Sequence, residues 1–542
     1  MKYKKDKSFY PDVLFFLLFV SIVTLSCTQK KNGFVKGNKR PNILFCLADD
    51  ASWHTFGAYG CKWVNTPGFD RVASSGILFN KAYTPNAKCA PSRSCILTGR
   101  NSWQLEAAAN HSPHFPAKFK TYVEVLGEHG YWVGRTGKGW APGDPGMVNG
   151  KPRGLTGIEY NNDSIDTPTD GICHVDYAKN FNEFLKDRPN GKPFCFWYGS
   201  REPHRPYEFK SGEKLAGKKV SDVKIIPDFW PDVDTIRADM LDYAFEIEYF
   251  DSHLQKMLKK LDEIGELKNT IVIVTADNGM PFPRIKGQVY EYSNHLPLAI
   301  MWPEGIKNPG RVVDDYVNFV DFAPTILELA GVSQEESGMH SISGRSLTDE
   351  FYSGKSGKVI ANRDFVLVGK ERHDVGRPND EGYPVRGIIR GDYLYLHNFK
   401  IDRWPAGNPE TGYLNCDGSP TKTYLLDTRR KKGIMKYWQM NFGKRQSEEM
   451  YNIIKDPFCM NNLADSKDFM GLKAKMKAEM TKKLTEQKDP RILGKGDIFD
   501  NYPYAGAVHD FYTRYMSGEK IPTSWVSDTD FDSYLGPDKN KE

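Results

Sequence analysis

The stretch of this chain best equipped for chemistry is Cys89-Ala90-Pro91-Ser92-Arg93-Ser94-Cys95-Ile96-Leu97-Thr98-Gly99-Arg100. Pro91 suits the first turn of a helix, where its missing N–H costs nothing, and Gly99 suits the stop. Residues four apart share a helix face, so Cys89 and Arg93 look toward the same place. A small side chain at a helix N-terminus with a guanidinium beside it is an arrangement that receives an anion. Two acidic motifs accompany it. Asp49-Asp50 follows the apolar run 42–47, and Asp277-Asn278-Gly279 follows the run 271–275. Oxygen-only donors suit a hard divalent cation, with Ca2+ the best match. No His/Cys cluster with zinc spacing is present in the sequence.

These groups need a scaffold that brings them together. The runs at 42–47, 193–198, 271–275 and 298–302 read as buried strands, and the patterns at 121–130, 177–186 and 236–264 as helices. Strands alternating with helices predict a doubly wound α/β domain. In such sheets ligands bind at the carboxyl ends of the strands, where both acidic motifs fall. The expected boundaries are a catalytic α/β domain over 41–360, a smaller α+β subdomain over 361–490 and an irregular tail over 491–542. The subdomain is expected to hold a hairpin turning at Gly391-Asp392 and a helix over 472–487.

The stretch from Cys89 to Arg100 resembles the signature of the type I sulfatases, Cys-x-Pro-Ser-Arg-x-x-x-Leu-Thr-Gly-Arg. That resemblance implies an alkaline-phosphatase-like fold, a large mixed sheet flanked by helices. It implies that Cys89 is oxidised to formylglycine, a hydrated aldehyde that attacks sulfate. It implies one Ca2+ held by Asp49, Asp50, Cys89, Asp277 and Asn278, with Arg93 orienting the nucleophile. Lys286, in Lys286-Gly287-Gln288-Val289-Tyr290-Glu291, is similar to the family's lysine in Lys-x-x-x-Tyr-Glu, which binds a sulfate oxygen. His204, in Glu202-Pro203-His204, matches a histidine that contacts the bridging oxygen, a role suited to imidazole near neutral pH. Lys138 fits a sulfate-binding lysine, but the motif departs from the family pattern. Gly137-Lys138-Gly139-Trp140 carries Trp140 where a histidine base is usual, which implies either that another base serves, with His111 and His114 as candidates, or that turnover is slow.

Asp277-Asn278-Gly279-Met280-Pro281-Phe282-Pro283 resembles the heparan N-sulfatase (sulfamidase) branch and its bacterial polysaccharide-degrading relatives. So does Glu371-Arg372-His373-Asp374 followed by Gly382-Tyr383-Pro384-Val385-Arg386. The segment from Met450 to Ala464 resembles a box common in bacterial sulfatases. Ser293-Asn294-His295-Leu296-Pro297 departs from the commoner pattern after Tyr-Glu. His111, His114, Arg284, His295, Arg372 and His373 are the candidates for reading the sugar.

Composition and termini narrow the setting. At 542 residues, with 26% charged and 39% hydrophobic residues, the chain is of ordinary globular type. Residues 1–26 hold four lysines against two aspartates, so part of the formal +5 charge sits there. A weakly basic body without a Lys/Arg tract does not suit nucleic acid. Lysines before the apolar run 13–25 are the layout of a secretory signal. Thr24-Leu25-Ser26-Cys27 resembles a bacterial lipobox, with Thr24 where an aliphatic residue is usual, so Cys27 is the expected lipidation site and 28–40 a linker. A plain signal peptide is the alternative. Nine cysteines without dense spacing give no disulfide framework.

The expectation is an exported sulfatase, in the periplasm or on the outer membrane, lipid-anchored through Cys27. It would act on O- or N-sulfate groups of a sulfated polysaccharide or its oligosaccharides. It would depend on a formylglycine-generating or anaerobic sulfatase-maturing enzyme. The rival readings are a phosphodiesterase or phosphonate hydrolase, and a sulfated-glycan-binding protein with a weak site, the latter motivated by Trp140.

Overall fold

Asn42 and the six apolar or small residues after it, Asn42–Ala48, form the fully buried strand β1 at the centre of a mixed sheet. The computed structural model describes residues 1–3, 40–429, 431 and 433–531. The leader beyond residue 3, Cys27 and the linker up to residue 39 therefore lie outside the described residues. The other strands of this sheet are β2 (Ile77–Phe79), β3 (Trp132–Gly137), β4 (Ile158–Glu159), β5 (Phe194–Gly199), β6 (Thr270–Ala276), β7 (Leu298–Met301) and β8 (Arg311–Val313). Their order is β8-β2-β7-β6-β1-β5-β3-β4. Only β7 runs against the rest, pairing antiparallel with β6 and β2, while β1 is parallel to both β5 and β6.

Alternation along β1 builds two cores, because successive side chains leave opposite faces of a strand. Leu44 and Cys46 pack with helices α1 (Pro67–Ser74), α4 (Tyr177–Asp187) and α5 (Asp234–Glu263). Ile43, Phe45 and Leu47 pack with α2 (Cys89–Thr98), α3 (Tyr122–Glu128) and α6 (Phe322–Ala330). Each fully buried Phe or Leu contributes roughly 1.5–3 kcal/mol of transfer free energy. Thr121 and Glu124 close a capping box that starts α3. Gly99 ends α2 at φ +66°, where a Cβ would also meet Ile342 at 2.9 Å.

The expected strands and helices are present, with shifts of one or two residues at their ends. After Lys358 the architecture changes to a four-stranded antiparallel sheet, β9 (Phe365–Lys370), β10 (Val385–Arg390), β11 (Tyr393–Asn398) and β12 (Glu448–Asn452). The hairpin turns at Gly391-Asp392 as expected. Helix α7 (Met470–Glu486) covers one face through Met476, Met480 and Leu484. Residues 491–531 include two short helices, Ile498–Asn501 and Phe511–Met516. The described residues from Arg40 to Phe531 form one compact unit. The eight described cysteines are free thiols. No helix among the described residues is long and apolar enough to cross a membrane.

Candidate active site

β1 and β6 are parallel neighbours in register, with Ala48 beside Ala276. Their carboxyl ends therefore deliver Asp49-Asp50 and Asp277-Asn278 to one spot. Asp50 leaves β1 at φ +75°, a left-handed conformation uncommon for a residue with a side chain. The Asp50 N–H donates to Asp277 Oδ1 at 3.0 Å, which ties the two strand ends together. One ligand oxygen from each of Asp49, Asp50 and Asp277 falls within 4.8 Å of the others, and all three residues are buried.

Helix α2 points its first turn at this cluster. Cys89 Sγ lies 3.4 Å from Asp49 Oδ1 and 3.9 Å from Asp50 Oδ1. Arg93, one turn on, donates through Nε to Asp277 Oδ2 at 2.8 Å and through Nη1 to the carbonyls of Lys138 and Gly139. Lys138, after β3, reaches Asp49 Oδ2 at 2.5 Å. Lys286 lies between Asp50 Oδ2 at 2.6 Å and Asp417 Oδ2 at 2.7 Å. His204, after β5, has Nε2 3.9 Å from Asp50 Oδ2. Its Nδ1 is 2.7 Å from the Arg205 carbonyl, which fixes the proton on Nδ1 and leaves Nε2 bare. His204 and Lys138 keep 31% and 15% of their side chains exposed, whereas Arg93 and Asp50 are wholly covered, so they mark the mouth.

The electrostatics follow from crowding. Burial pushes Asp277 up to about 7; Asp49 adds to the shift and Arg93 opposes it. Burial also raises Asp50 to about 6, against the pull of Lys286. Asp49 goes the other way, because Lys138 and Arg93 together outweigh its burial. Burial and the Asp49 charge hold the Cys89 thiol well above its ordinary value. A thiol so held is not a ready nucleophile, since the thiolate is the reactive form. Burial, then Lys286, lowers His204 to about 4.

The donor set fits a hard cation. Three buried carboxylates repel one another, and Asn278 Oδ1 has no protein partner while its Nδ2 donates to Asp50 Oδ1 at 2.7 Å. Three carboxylates and a free amide oxygen suit a hard divalent cation, with Cys89 Sγ and His204 Nε2 at the edge of the set.

The candidate sugar readers fall into different places. His114 is half exposed and pairs with Asp144. His295 uses both ring nitrogens, on Glu291 Oε1 and the Asn80 carbonyl, and stacks on Trp53. The Nη groups of Arg284 donate to the carbonyls of Met440 and Cys459. Those of Arg372 donate to the carbonyls of Tyr502 and Pro503. In this structure these last three residues tie loops together. His373 is also committed, to Asn86 Oδ1 and the Gly287 carbonyl, but lies beside Lys286. His111 is buried on Asp374, with Nδ1 2.8 Å from Oδ1. Trp140 is core: its Nε1 donates to Ser94 Oγ on α2 at 2.8 Å and its ring packs edge-on against Phe115. No base stands at that position.

Sequence reading missed Asp417, Lys88 and Asn415. Lys88 pairs with Asp374 at 2.7 Å, both buried. The only local signal was composition: a lysine before the key cysteine, and an Asn-Cys-Asp-Gly turn at 415–418.

Comparison with known proteins gives the class. The family model described as Sulfatase matches residues 41–332. The chain belongs to the sulfatase family and is a sulfuric ester hydrolase. It is 28% identical over 460 residues to an ulvan-active sulfatase of Formosa agariphila, covering 83% of this chain and 81% of that one. It is 26% identical to the human N-sulphoglucosamine sulphohydrolase, covering 85% and 93%. Among solved structures it is similar in fold to BT4656 in complex with its substrate D-glucosamine-2-N,6-O-disulfate, with a TM-score of 0.58, 21% identity, and 83% of this chain and 99% of that one covered. The fold is the alkaline-phosphatase-like one expected.

Proposed function

We propose that the protein removes sulfate from a sulfated carbohydrate, using a formylglycine made from Cys89 and one Ca2+. The observation that carries this reading is the convergence of Cys89, Arg93, Lys138 and Lys286 on three crowded carboxylates at the ends of β1 and β6. Asp49, Asp50, Asp277 and Asn278 would hold the cation, which when bound offsets their charge and polarises sulfate. The formylglycine supplies the hydrated-aldehyde oxygen that attacks sulfur.

The chain's own residues do the rest. Arg93 fixes the position of residue 89's helix against Asp277. Lys138 and Lys286 present ammonium groups to the sulfate oxygens, where charge develops. His204 carries the proton. With its Nε2 bare, it takes a proton from solvent at the mouth before it gives that proton to the leaving oxygen or amine. The relatives' names point to glycan sulfates, O- or N-linked, as the substrate class. The leader and Cys27 point to action outside the cytoplasm, on a lipid anchor.

Sulfate release from N-sulfoglucosamine, glucosamine 6-sulfate and ulvan oligosaccharides tests the reading. The chain matured with a sulfatase-maturing enzyme should release sulfate from at least one of them, and Cys89→Ala from none. Equal release by the variant would refute the nucleophile.

A further inference from the structure

Asp374 organises a second polar group on the flank of this site. Its Oδ1 holds His111 Nδ1 at 2.8 Å, its Oδ2 holds Lys88 Nζ at 2.7 Å, and its backbone N–H donates to Asn415 Oδ1 at 3.1 Å. All four residues are buried. Three links join this group to the nucleophile. Lys88 precedes Cys89 in the chain. Asp417, two residues after Asn415, pairs with Lys286. His373, next to Asp374, bonds the carbonyl of Gly287, which follows Lys286.

Two polar atoms in this group have no protein partner, His111 Nε2 and Asn415 Nδ2. Their chemistry is fixed by what their other ends do. A carboxylate beside Nδ1 keeps the His111 proton there. Burial, helped by the charges of Lys88 and Lys138, holds the ring neutral against Asp374. Nε2 is therefore a bare acceptor. The Asp374 N–H needs an acceptor, so the Asn415 oxygen faces it and the amide NH2 is the free end. One residue thus holds an unsatisfied acceptor and an unsatisfied donor. That pair complements a hydroxyl, which both donates and accepts, and not an anion, which only accepts.

We propose that His111 and Asn415, positioned by Asp374, form a subsite that reads a hydroxyl of the sugar bearing the scissile sulfate. The proposal rests on the sulfatase reading above. Leaving such groups unpaired in a complex is what makes a polar subsite reject analogues lacking the hydroxyl.

The test pairs the sulfated saccharide that yields most sulfate in the panel with its single-deoxy analogues and with 4-nitrophenyl sulfate. In the wild type, one deoxy analogue should lose about tenfold or more in kcat/KM, mainly through KM. In His111→Gln, and in Asn415→Asp, which keeps the oxygen that accepts the Asp374 N–H, that discrimination should shrink below about threefold. The sugar-to-aryl preference should fall about tenfold in each. Unchanged discrimination in the variants, or equal loss on sugar and aryl sulfate, would give the pair a structural role and overturn the subsite alone. A matured wild type that releases no sulfate from any substrate would overturn the subsite together with the sulfatase reading.

Discussion

The cluster around Cys89 and the cluster around Arg386 are both buried and both built from acids and cations, but they are wired differently. Around Arg386 the signs alternate. Its Nε and Nη2 meet Asp489 at 2.7 and 3.0 Å, and Nη2 also meets Glu371 at 2.8 Å. Arg491 closes the other side of Glu371 at 2.6 Å. Two acids face two guanidinium forks, and the network is complete without any visitor. Around Cys89 three carboxylates share one spot, an amide oxygen beside them has no partner, and Asp277 and Asp50 are driven up to about 7 and about 6. A completed buried network holds the fold, and an incomplete one holds a place for a ligand.

The largest expected effect separates the two. Arg386→Ala strands Glu371 and Asp489 in the interior and should cost about 3–5 kcal/mol of stability, read by denaturant unfolding. Asp277→Ala removes the acceptor of Arg93 Nε and of the Asp50 N–H but also relieves a repulsion among three carboxylates, so calcium-free stability should fall less, by about 1–3 kcal/mol. Sulfate release should nonetheless fall about 10²–10³-fold. A collapse of the Asp277 variant, or indifference of the Arg386 variant, would break the distinction.

Calcium gives the next largest effect. At a hundredfold excess over its dissociation constant, Ca2+ should add about 2.7 kcal/mol to wild-type stability, seen as a rise in Tm that chelator reverses. Asp277→Asn should lose most of that rise. The gain should also depend on pH. Asp50 and Asp277 have folded values raised above the ordinary carboxylate range. Protonation therefore stabilises the calcium-free cluster, fully below about pH 4, and that stabilisation is lost as pH rises through 6 and 7. The calcium-induced rise in Tm should accordingly be largest above pH 7 and shrink as pH falls toward 4.

The smallest effect concerns Trp140. Trp140→Phe keeps the ring in the core and loses the hydrogen bond to Ser94, which should cost about 1 kcal/mol without a matching loss of sulfate release. Loss of activity in a stable Trp140→Phe would put the indole in the chemistry and blur the line between the two kinds of region.

Much of this was legible in the sequence because it is local. A strand with six consecutive apolar or small residues followed by Asp-Asp needs only β geometry to place its acids at the sheet edge. The helix carrying Cys89 and Arg93 is written in Pro91 and Gly99. Asp374 and Asp417 were not legible, because the loops that carry them meet Lys88 and Lys286 only through the fold, the latter across 131 residues of sequence, and Asn415 enters only through Asp374, 41 residues away. Polar residues such as His295 read alike in the sequence whether they face a sugar or tie a loop. Only the partners on both ring nitrogens tell the two apart.

The central claim is that residue 89 acts as formylglycine and not as a thiol. Mass analysis of the peptide containing residue 89, with aldehyde capture, tests it on protein produced with and without a sulfatase-maturing enzyme. An aldehyde is expected at residue 89, with an occupancy that tracks specific activity, preparation by preparation. Full sulfate release from protein whose Cys89 is an unmodified thiol would contradict it.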